Sequence, residues 1–130
     1  MQQKIYLTDD EASVCEVLSA FLMANGFTVE TFTGGKEVVA ACEAEVPDLV
    51  ILDVMMPGLD GLSTGRILRG KYPQLPLFFI SSKDDLRNII AAQGLDGVDF
   101  LRKPFSPTDL VVRVRTLLKQ DTKEAVQSGE

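Results

Sequence analysis

The sequence contains no histidine. This absence excludes Ser-His-Asp and Cys-His catalysis and the usual zinc sites, and it leaves no residue for an internal phosphohistidine. The two cysteines, Cys15 and Cys42, lie among apolar neighbours in helical patterns. Such surroundings indicate buried thiols, not a disulfide or a pair of metal ligands.

Long apolar runs are also lacking, and none approaches the roughly 20 residues that span a bilayer. The N-terminus has neither the basic nor the apolar region of a signal peptide. We therefore expect a cytoplasmic protein that does not contact a membrane.

Positive charge is scarce, since 13 Lys and Arg residues face 19 Asp and Glu residues and the net charge is −6. A surface of this kind argues against direct nucleic-acid binding, which needs basic groups to neutralise phosphates. Acidic side chains gathered in one pocket would instead attract a cation. The length of 130 residues suits one domain. We place this domain at 1–120 and a polar tail or the start of a linker at 121–130.

Apolar patterns of two kinds alternate along the chain. Their periodicity predicts strands over 4–8, 27–32, 49–53, 76–80 and 98–101, and helices over 11–25, 35–46, 61–72, 84–93 and 107–119. Regular alternation of strand and helix predicts an α/β fold in which right-handed crossovers place helices on both faces of a parallel sheet.

The third predicted strand has a carboxylate at its end. Four apolar residues run into Asp53, and a Pro57-Gly58 turn follows. A continuous apolar run is typical of a strand covered on both faces, and sheets of this kind bind ligands beyond their carboxyl ends. From this stretch alone, Asp53 is either a ligand-binding acid or the cap of a turn.

Polar side chains end four of the five predicted strands. They are Asp9 and Asp10, then Asp53, Ser81 and Lys103. Each has an ordinary alternative role, as a helix cap for Asp9 and Asp10, as a cap of the local backbone for Asp53 and Ser81, and as a solvated charge for Lys103. The carboxyl ends of parallel strands meet at one edge, however, so we expect these residues to form one pocket. Clustered carboxylates without His or Cys suit Mg²⁺, and an added ammonium and hydroxyl suit phosphoryl transfer to Asp53.

Four motifs in this order resemble the receiver domain of bacterial two-component response regulators. They are Asp9-Asp10-Glu11, the stretch from Asp53 to Gly61, Ser81, and Lys103-Pro104-Phe105. The resemblance covers about residues 4–119. It implies a flavodoxin-like (βα)5 sandwich with strand order 2-1-3-4-5, and a signalling switch, not a metabolic enzyme.

The resemblance also implies roles for the pocket residues. Asp53 is expected to accept phosphate from a histidine kinase or a histidine phosphotransfer protein, and to undergo autodephosphorylation. Asp10, Asp53 and the backbone carbonyl of Met55 are expected to bind Mg²⁺, with Mn²⁺ as an alternative, and Asp9 to act through water. Lys103 and Ser81 are expected to contact the phosphoryl group.

A conformational switch is implied as well. Ser81 and Phe100 would move inward after phosphorylation and change the face formed by the fourth helix, fifth strand and fifth helix. That face would then meet a partner or form a homodimer, for which Asp99 and Arg115 are the first pair to test. The alternative for Phe100 is a plain core phenylalanine.

Two further expectations concern the rim of the pocket. Met55 and Lys83 lie two residues beyond Asp53 and Ser81, and we expect them to tune the lifetime of the phosphoryl group. The Lys103-Pro104 peptide bond is expected to be cis by resemblance.

Two other functions remain as alternatives. The first is a Mg²⁺-dependent small-molecule phosphohydrolase that works through an aspartyl-phosphate. Such enzymes usually have an acid two residues after the nucleophile, where this chain has Met55, and a capping insertion. The second is a degenerate receiver used only for binding, which is disfavoured because every pocket residue is present.

Overall fold

The structure is a computed structural model that describes residues 2–95 and 97–128. Five strands alternate with five helices, as predicted, and the boundaries of most elements differ by a few residues at most. The strands are β1 (Lys4–Thr8), β2 (Thr28–Phe32), β3 (Leu49–Asp53), β4 (Leu77–Ser81) and β5 (Val98–Arg102). The helices are α1 (Ala12–Ala24), α2 (Gly35–Ala44), α3 (Gly61–Lys71), α4 (Leu86–Ala91) and α5 (Pro107–Ser128).

The strands form one parallel sheet in the order β2-β1-β3-β4-β5, which confirms the predicted flavodoxin-like topology. Every residue of β3 and β4 is buried, because these two strands lie inside the sheet and are covered on both faces. The edge strands β2 and β5 are only partly buried. Because β3 and β4 are neighbours in the sheet, Asp53 and Ser81 lie side by side at the carboxyl end of the sheet.

Alternate strand residues pack on opposite faces of the sheet. Ile5 and Leu7 belong to a core beneath α1 and α5, whereas Tyr6 belongs to a second core beneath α2, α3 and α4. Cys15 is buried in the first core and Cys42 in the second, and both are free thiols, as predicted. Burial raises the pKa of Cys42 to about 11, which makes it an inert core thiol.

Two glycines bring α3 close to the sheet. A Cβ on Gly61 would collide with the carbonyl oxygen of Asp53, and one on Gly65 would lie 2.7 Å from Cζ of Phe79. The helix thus begins directly beside the end of β3, where the Gly61 N–H donates to the Val54 carbonyl at 3.0 Å. Glycines that weaken α3 as a helix are needed for this close approach.

Helix α5 is longer than predicted. It begins after Ser106, whose hydroxyl accepts from the Thr108 N–H at 3.1 Å, and it continues to Ser128. Residues 129 and 130 lie outside the described residues. The assignment of 121–130 as a polar tail or linker therefore stays a prediction. Across the described residues, no helix is both long and apolar enough to cross a membrane.

Candidate functional site

The carboxyl ends of four strands converge on one acidic pocket. Asp9 follows β1, Asp53 ends β3, Ser81 ends β4 and Lys103 follows β5. The backbone N–H of Lys103 donates to the Ser81 carbonyl at 2.7 Å. The hydrogen bonds between β4 and β5 therefore continue as far as the pocket. Parallel topology thus brings together residues that are up to 94 positions apart in the chain.

Asp53 lies at the centre of this pocket and is 4% exposed. Its Oδ1 accepts from the Met55 N–H at 3.1 Å, and its Oδ2 accepts from Lys103 Nζ at 3.2 Å. The turn contact that was the alternative for Asp53 therefore exists, but it uses only one carboxylate oxygen. The other oxygen faces the lysine.

The electrostatics of Asp53 follow from these surroundings. Burial first, and then the charge of Asp9, raise the pKa of Asp53, whereas the Met55 N–H and Lys103 lower it. The net result is a pKa of about 6, against an ordinary value of 3.8. A carboxylate with this pKa is mostly ionised at neutral pH, yet it is less stable as an anion than a solvated one.

Lys103 bridges the two buried acids. Its Nζ lies 2.8 Å from Oδ2 of Asp9, 3.2 Å from Oδ2 of Asp53 and 3.8 Å from Oε1 of Glu11. Its side chain is 18% exposed, so the solvated alternative for this lysine is wrong. Burial lowers the pKa of Lys103, but its hydrogen bond to Asp9 and the charges of Asp53 and Asp9 raise it further, and the net pKa is above the ordinary value. The bond to Pro104 is cis, as the resemblance implied.

Three carboxylates form a group that suits a divalent cation. One oxygen from each of Asp9, Asp10 and Asp53 lies within 4.8 Å of the others. Asp10 is free to face this group because Glu11, and not Asp10, occupies the N-cap position of α1. Three negative charges face the single ammonium of Lys103, so the donor set fits Mg²⁺, which prefers hard oxygen ligands. The approach of Glu11 to Lys103 was not predicted, although its position next to the two acids suggests it.

Ser81 is fully buried, and its Oγ accepts from the backbone N–H of Lys83 at 3.1 Å. The hydroxyl proton of Ser81 is therefore still available for donation. Met55, which is 51% exposed, and Lys83 line a cavity of about 430 Å³ beside the end of β3. The two side chains thus share one cavity next to Asp53 in the chain, and their effect on the phosphoryl lifetime stays a prediction.

Phe100 lies in β5, level with Phe79 of β4, and is half-buried against the second core. The guanidinium of Arg87 lies 5.8 Å from the centre of its ring. The ring therefore packs against the core without being sealed inside it, as a plain core phenylalanine would be. Its role as a switch stays a prediction.

Within one chain, Asp99 and Arg115 do not pair with each other, and their pairing with a partner or a second copy stays a prediction. Asp99 pairs with Arg113, whose Nη1 lies 3.1 Å from Oδ1 of Asp99. Arg115 instead donates to the Asn25 carbonyl at 3.0 Å and lies over the ring of Phe27. Two residues along a helix correspond to a rotation of about 200°, so Arg113 and Arg115 face different sides of α5.

Comparison with known proteins identifies one family for this chain. The family description for the response regulator receiver domain matches residues 5–115. The chain is 35% identical over 125 residues to the probable transcriptional regulatory protein TcrX of Mycobacterium tuberculosis, which covers 96% of this chain and 53% of that protein. It is 34% identical over 128 residues to the alkaline phosphatase synthesis transcriptional regulatory protein PhoP of Bacillus subtilis, which covers 98% of this chain and 53% of that protein.

A solved structure is similar over most of the chain. The receiver domain of Francisella response regulator 1452 superposes with a TM-score of 0.82 at 30% identity, covering 92% of this chain and 98% of that one. The chain spans about half the length of the curated relatives it matches, 53% in both cases above.

Proposed function

The chain belongs to the family of response regulator receiver domains, which are phosphorylation-dependent signalling switches, and we propose that Asp53 is its phosphoacceptor. The observation that carries this proposal is the position of the Asp53 carboxylate. It ends β3 between the ammonium of Lys103 and the acids Asp9 and Asp10. Within the described residues, this pocket alone groups three acidic or metal-binding side chains closely enough to share one cation.

The chemistry uses the carboxylate as a nucleophile. A carboxylate oxygen of Asp53 attacks phosphorus, the bond from phosphorus to the donor's imidazole nitrogen breaks, and an acyl phosphate forms. Lys103 Nζ, at 3.2 Å from Oδ2 of Asp53, faces the charge on the transferred group. The family implies a histidine kinase or a histidine phosphotransfer protein as the donor, and the absence of histidine from this sequence fits a donor on another chain.

Asp10, Asp53 and the backbone carbonyl of Met55 would hold Mg²⁺, or Mn²⁺ in its place, and Asp9 would act through water. When bound, the cation neutralises charge on the carboxylates and on the phosphoryl oxygens. The residues themselves supply the selectivity, because carboxylate and carbonyl oxygens favour hard cations.

Ser81 and Phe100 transmit the change. The Ser81 hydroxyl accepts from Lys83 N–H and keeps its own proton, so it can donate to a phosphoryl oxygen on Asp53. Its displacement opens space for the ring of Phe100 and alters the face of α4, β5 and α5. That face then meets a partner or a second copy of the chain in the cytoplasm.

The lifetime of the phosphoryl group depends on the cavity beside the pocket. Met55 and Lys83 line this cavity, which begins at Val54 directly after Asp53, so we expect that replacing both with alanine alters the access of water and changes the dephosphorylation rate. Replacing Met23 and Lys71, which are also exposed but do not line it, is the control. Unchanged rates in the first double variant would contradict this role.

The phosphohydrolase alternative is not favoured. Met55 occupies the position two residues beyond Asp53 and offers no side-chain acid. The relatives reported above are named as regulators.

Incubation with Mg²⁺ and acetyl phosphate or phosphoramidate tests the central proposal. Intact-mass spectrometry should detect one added phosphoryl group on the wild type and none on Asp53→Asn. Asp60→Asn is the matched control, since Asp60 caps α3 through the Ser63 N–H at 2.7 Å and lies outside the acidic group. A wild type that gains no phosphate, or an Asp53→Asn variant that gains as much, would overturn the proposal.

A further inference from the structure

Two arginines from different helices hold Phe100 in its half-buried position. Arg113 of α5 donates to the Phe100 carbonyl at 3.4 Å and to Oδ1 of Asp99 at 3.1 Å. The same Oδ1 accepts from the Phe100 N–H at 2.8 Å. Arg87 of α4 contacts the ring itself, with 5.8 Å between its guanidinium carbon and the ring centre.

The contacts of Arg113 and Asp99 restrain the backbone and not the ring. Because β5 is an edge strand, the main-chain groups of Phe100 would otherwise be open to solvent or to another strand. Asp99 accepts from the Phe100 N–H and Arg113 donates to the Phe100 carbonyl, so both main-chain groups have partners. What remains free at this position is rotation of the ring about its side-chain bonds.

Arg87 is the residue that opposes this rotation. No carboxylate pairs with Arg87 among the side chains that the structure describes, and the ring of Phe100 is the partner of its guanidinium. A cation over an aromatic face is attracted by the ring's quadrupole, and the attraction is lost when the ring turns away. The contact therefore exists only while Phe100 is in the position seen here.

We propose that Arg87 is a positioning residue that holds Phe100 in the resting position and so lowers the population of the inward conformation. This inference rests on the proposed function, in which an inward ring accompanies phosphorylation. A contact of this kind at an exposed site changes an equilibrium about two- to fivefold. Since an acyl-phosphate mimic binds the inward conformation, its apparent affinity is reduced by the fraction of molecules that are held outward.

Substitution of Arg87 distinguishes this role from simple electrostatics by the sign of its effect. Removing a cation near an anion-binding pocket should weaken the binding of an anion. Removing a restraint on Phe100 should tighten it. Arg87→Gln is therefore expected to bind beryllofluoride, in the presence of Mg²⁺, about two- to fivefold more tightly than the wild type.

The experiment measures the apparent dissociation constant of beryllofluoride by ¹⁹F NMR on wild type, Arg87→Gln, Phe100→Leu and the double variant. Arg115→Gln is the matched control, because it removes the same charge and a similar contact with a ring, that of Phe27, away from Phe100. The backbone amide shift of Phe100 is followed in the metal-bound protein without beryllofluoride. In Arg87→Gln it should move towards its beryllofluoride-bound position.

The expected pattern is tighter binding in Arg87→Gln, no tightening in Arg115→Gln and no effect of Arg87→Gln when Phe100 is already leucine. A wild type that binds beryllofluoride and an Arg87→Gln variant that binds it equally or more weakly would overturn the role of Arg87 alone. Equal tightening in the Phe100→Leu background would also overturn it, because the effect would not pass through the ring. A wild type that binds none would overturn the proposed function together with this inference.

Discussion

Replacing Asp53 with asparagine should stabilise the metal-free protein at neutral pH. Burial first, and then the charge of Asp9, raise the pKa of Asp53 from 3.8 to about 6. The folded state therefore holds the Asp53 proton more tightly than the unfolded state does. The free energy of unfolding must then fall as the pH rises between these two values, and the loss is complete above the folded-state pKa.

The size of this effect follows from the two pKa values. Their difference corresponds to about 3 kcal/mol of unfolding free energy at neutral pH. Asparagine keeps the side-chain volume and an acceptor for the Met55 N–H, but it loses the attraction of Lys103. We therefore expect Asp53→Asn to raise the free energy of unfolding by about 2 kcal/mol at pH 7 and by almost nothing at pH 4.

Urea unfolding followed by circular dichroism, in EDTA at a series of pH values from 4 to 8, measures this difference. Asp60→Asn should follow the wild type at every pH, because asparagine caps a helix about as well as aspartate. Saturating Mg²⁺ should stabilise the wild type more than Asp53→Asn, since a cation that binds only the folded state adds to its stability. A difference between Asp53→Asn and wild type that is independent of pH would refute the reasoning, as would a wild type more stable than the variant at pH 7.

Four other substitutions should change stability in directions that the structure sets, and urea unfolding measures each. Lys103→Met should lower the free energy of unfolding by about 3 kcal/mol at pH 7 without metal, because two buried carboxylates lose their cation; an unchanged midpoint would contradict this. Gly65→Ala should destabilise by about 1 to 3 kcal/mol through its collision with Phe79, whereas Gly70→Ala, with open space around it in the same helix, should stabilise by about 0.5 to 1 kcal/mol. Effects of the same sign at both glycines would show that the close approach of α3 is not the cause. Thr8→Val should stabilise by about 1 kcal/mol, because the buried Thr8 hydroxyl has no hydrogen-bond partner among the residues that the structure describes; a loss of stability would indicate a missed partner.

The order of the elements could be predicted because it depends on local patterns. The continuous apolar runs before Asp53 and Ser81 predict buried strands, and the helical spacing between them predicts crossovers. Parallel topology then places the ends of the strands together, so the members of the pocket could be named without coordinates. Asp9, Asp53 and Lys103 do meet as expected.

The contacts of single side chains could not be predicted in the same way. Within the chain, Asp99 pairs with Arg113 and Arg115 contacts the Asn25 carbonyl, because the direction in which each arginine faces depends on the rotation of α5 about its axis. The contact between Arg87 and Phe100 joins two elements whose relative position the sequence pattern does not specify.

The sequence by itself determined which residues reach the acidic edge, since strand periodicity and the parallel sheet are properties of short segments and their order. The tertiary structure decided how those residues act on one another. The bridge from Lys103 to Asp9 and Asp53 spans 94 and 50 residues, and the raised pKa of Asp53 depends on the burial that all five strands create together. Distances and burial of this kind arise only when distant segments pack, because both depend on every element around the site.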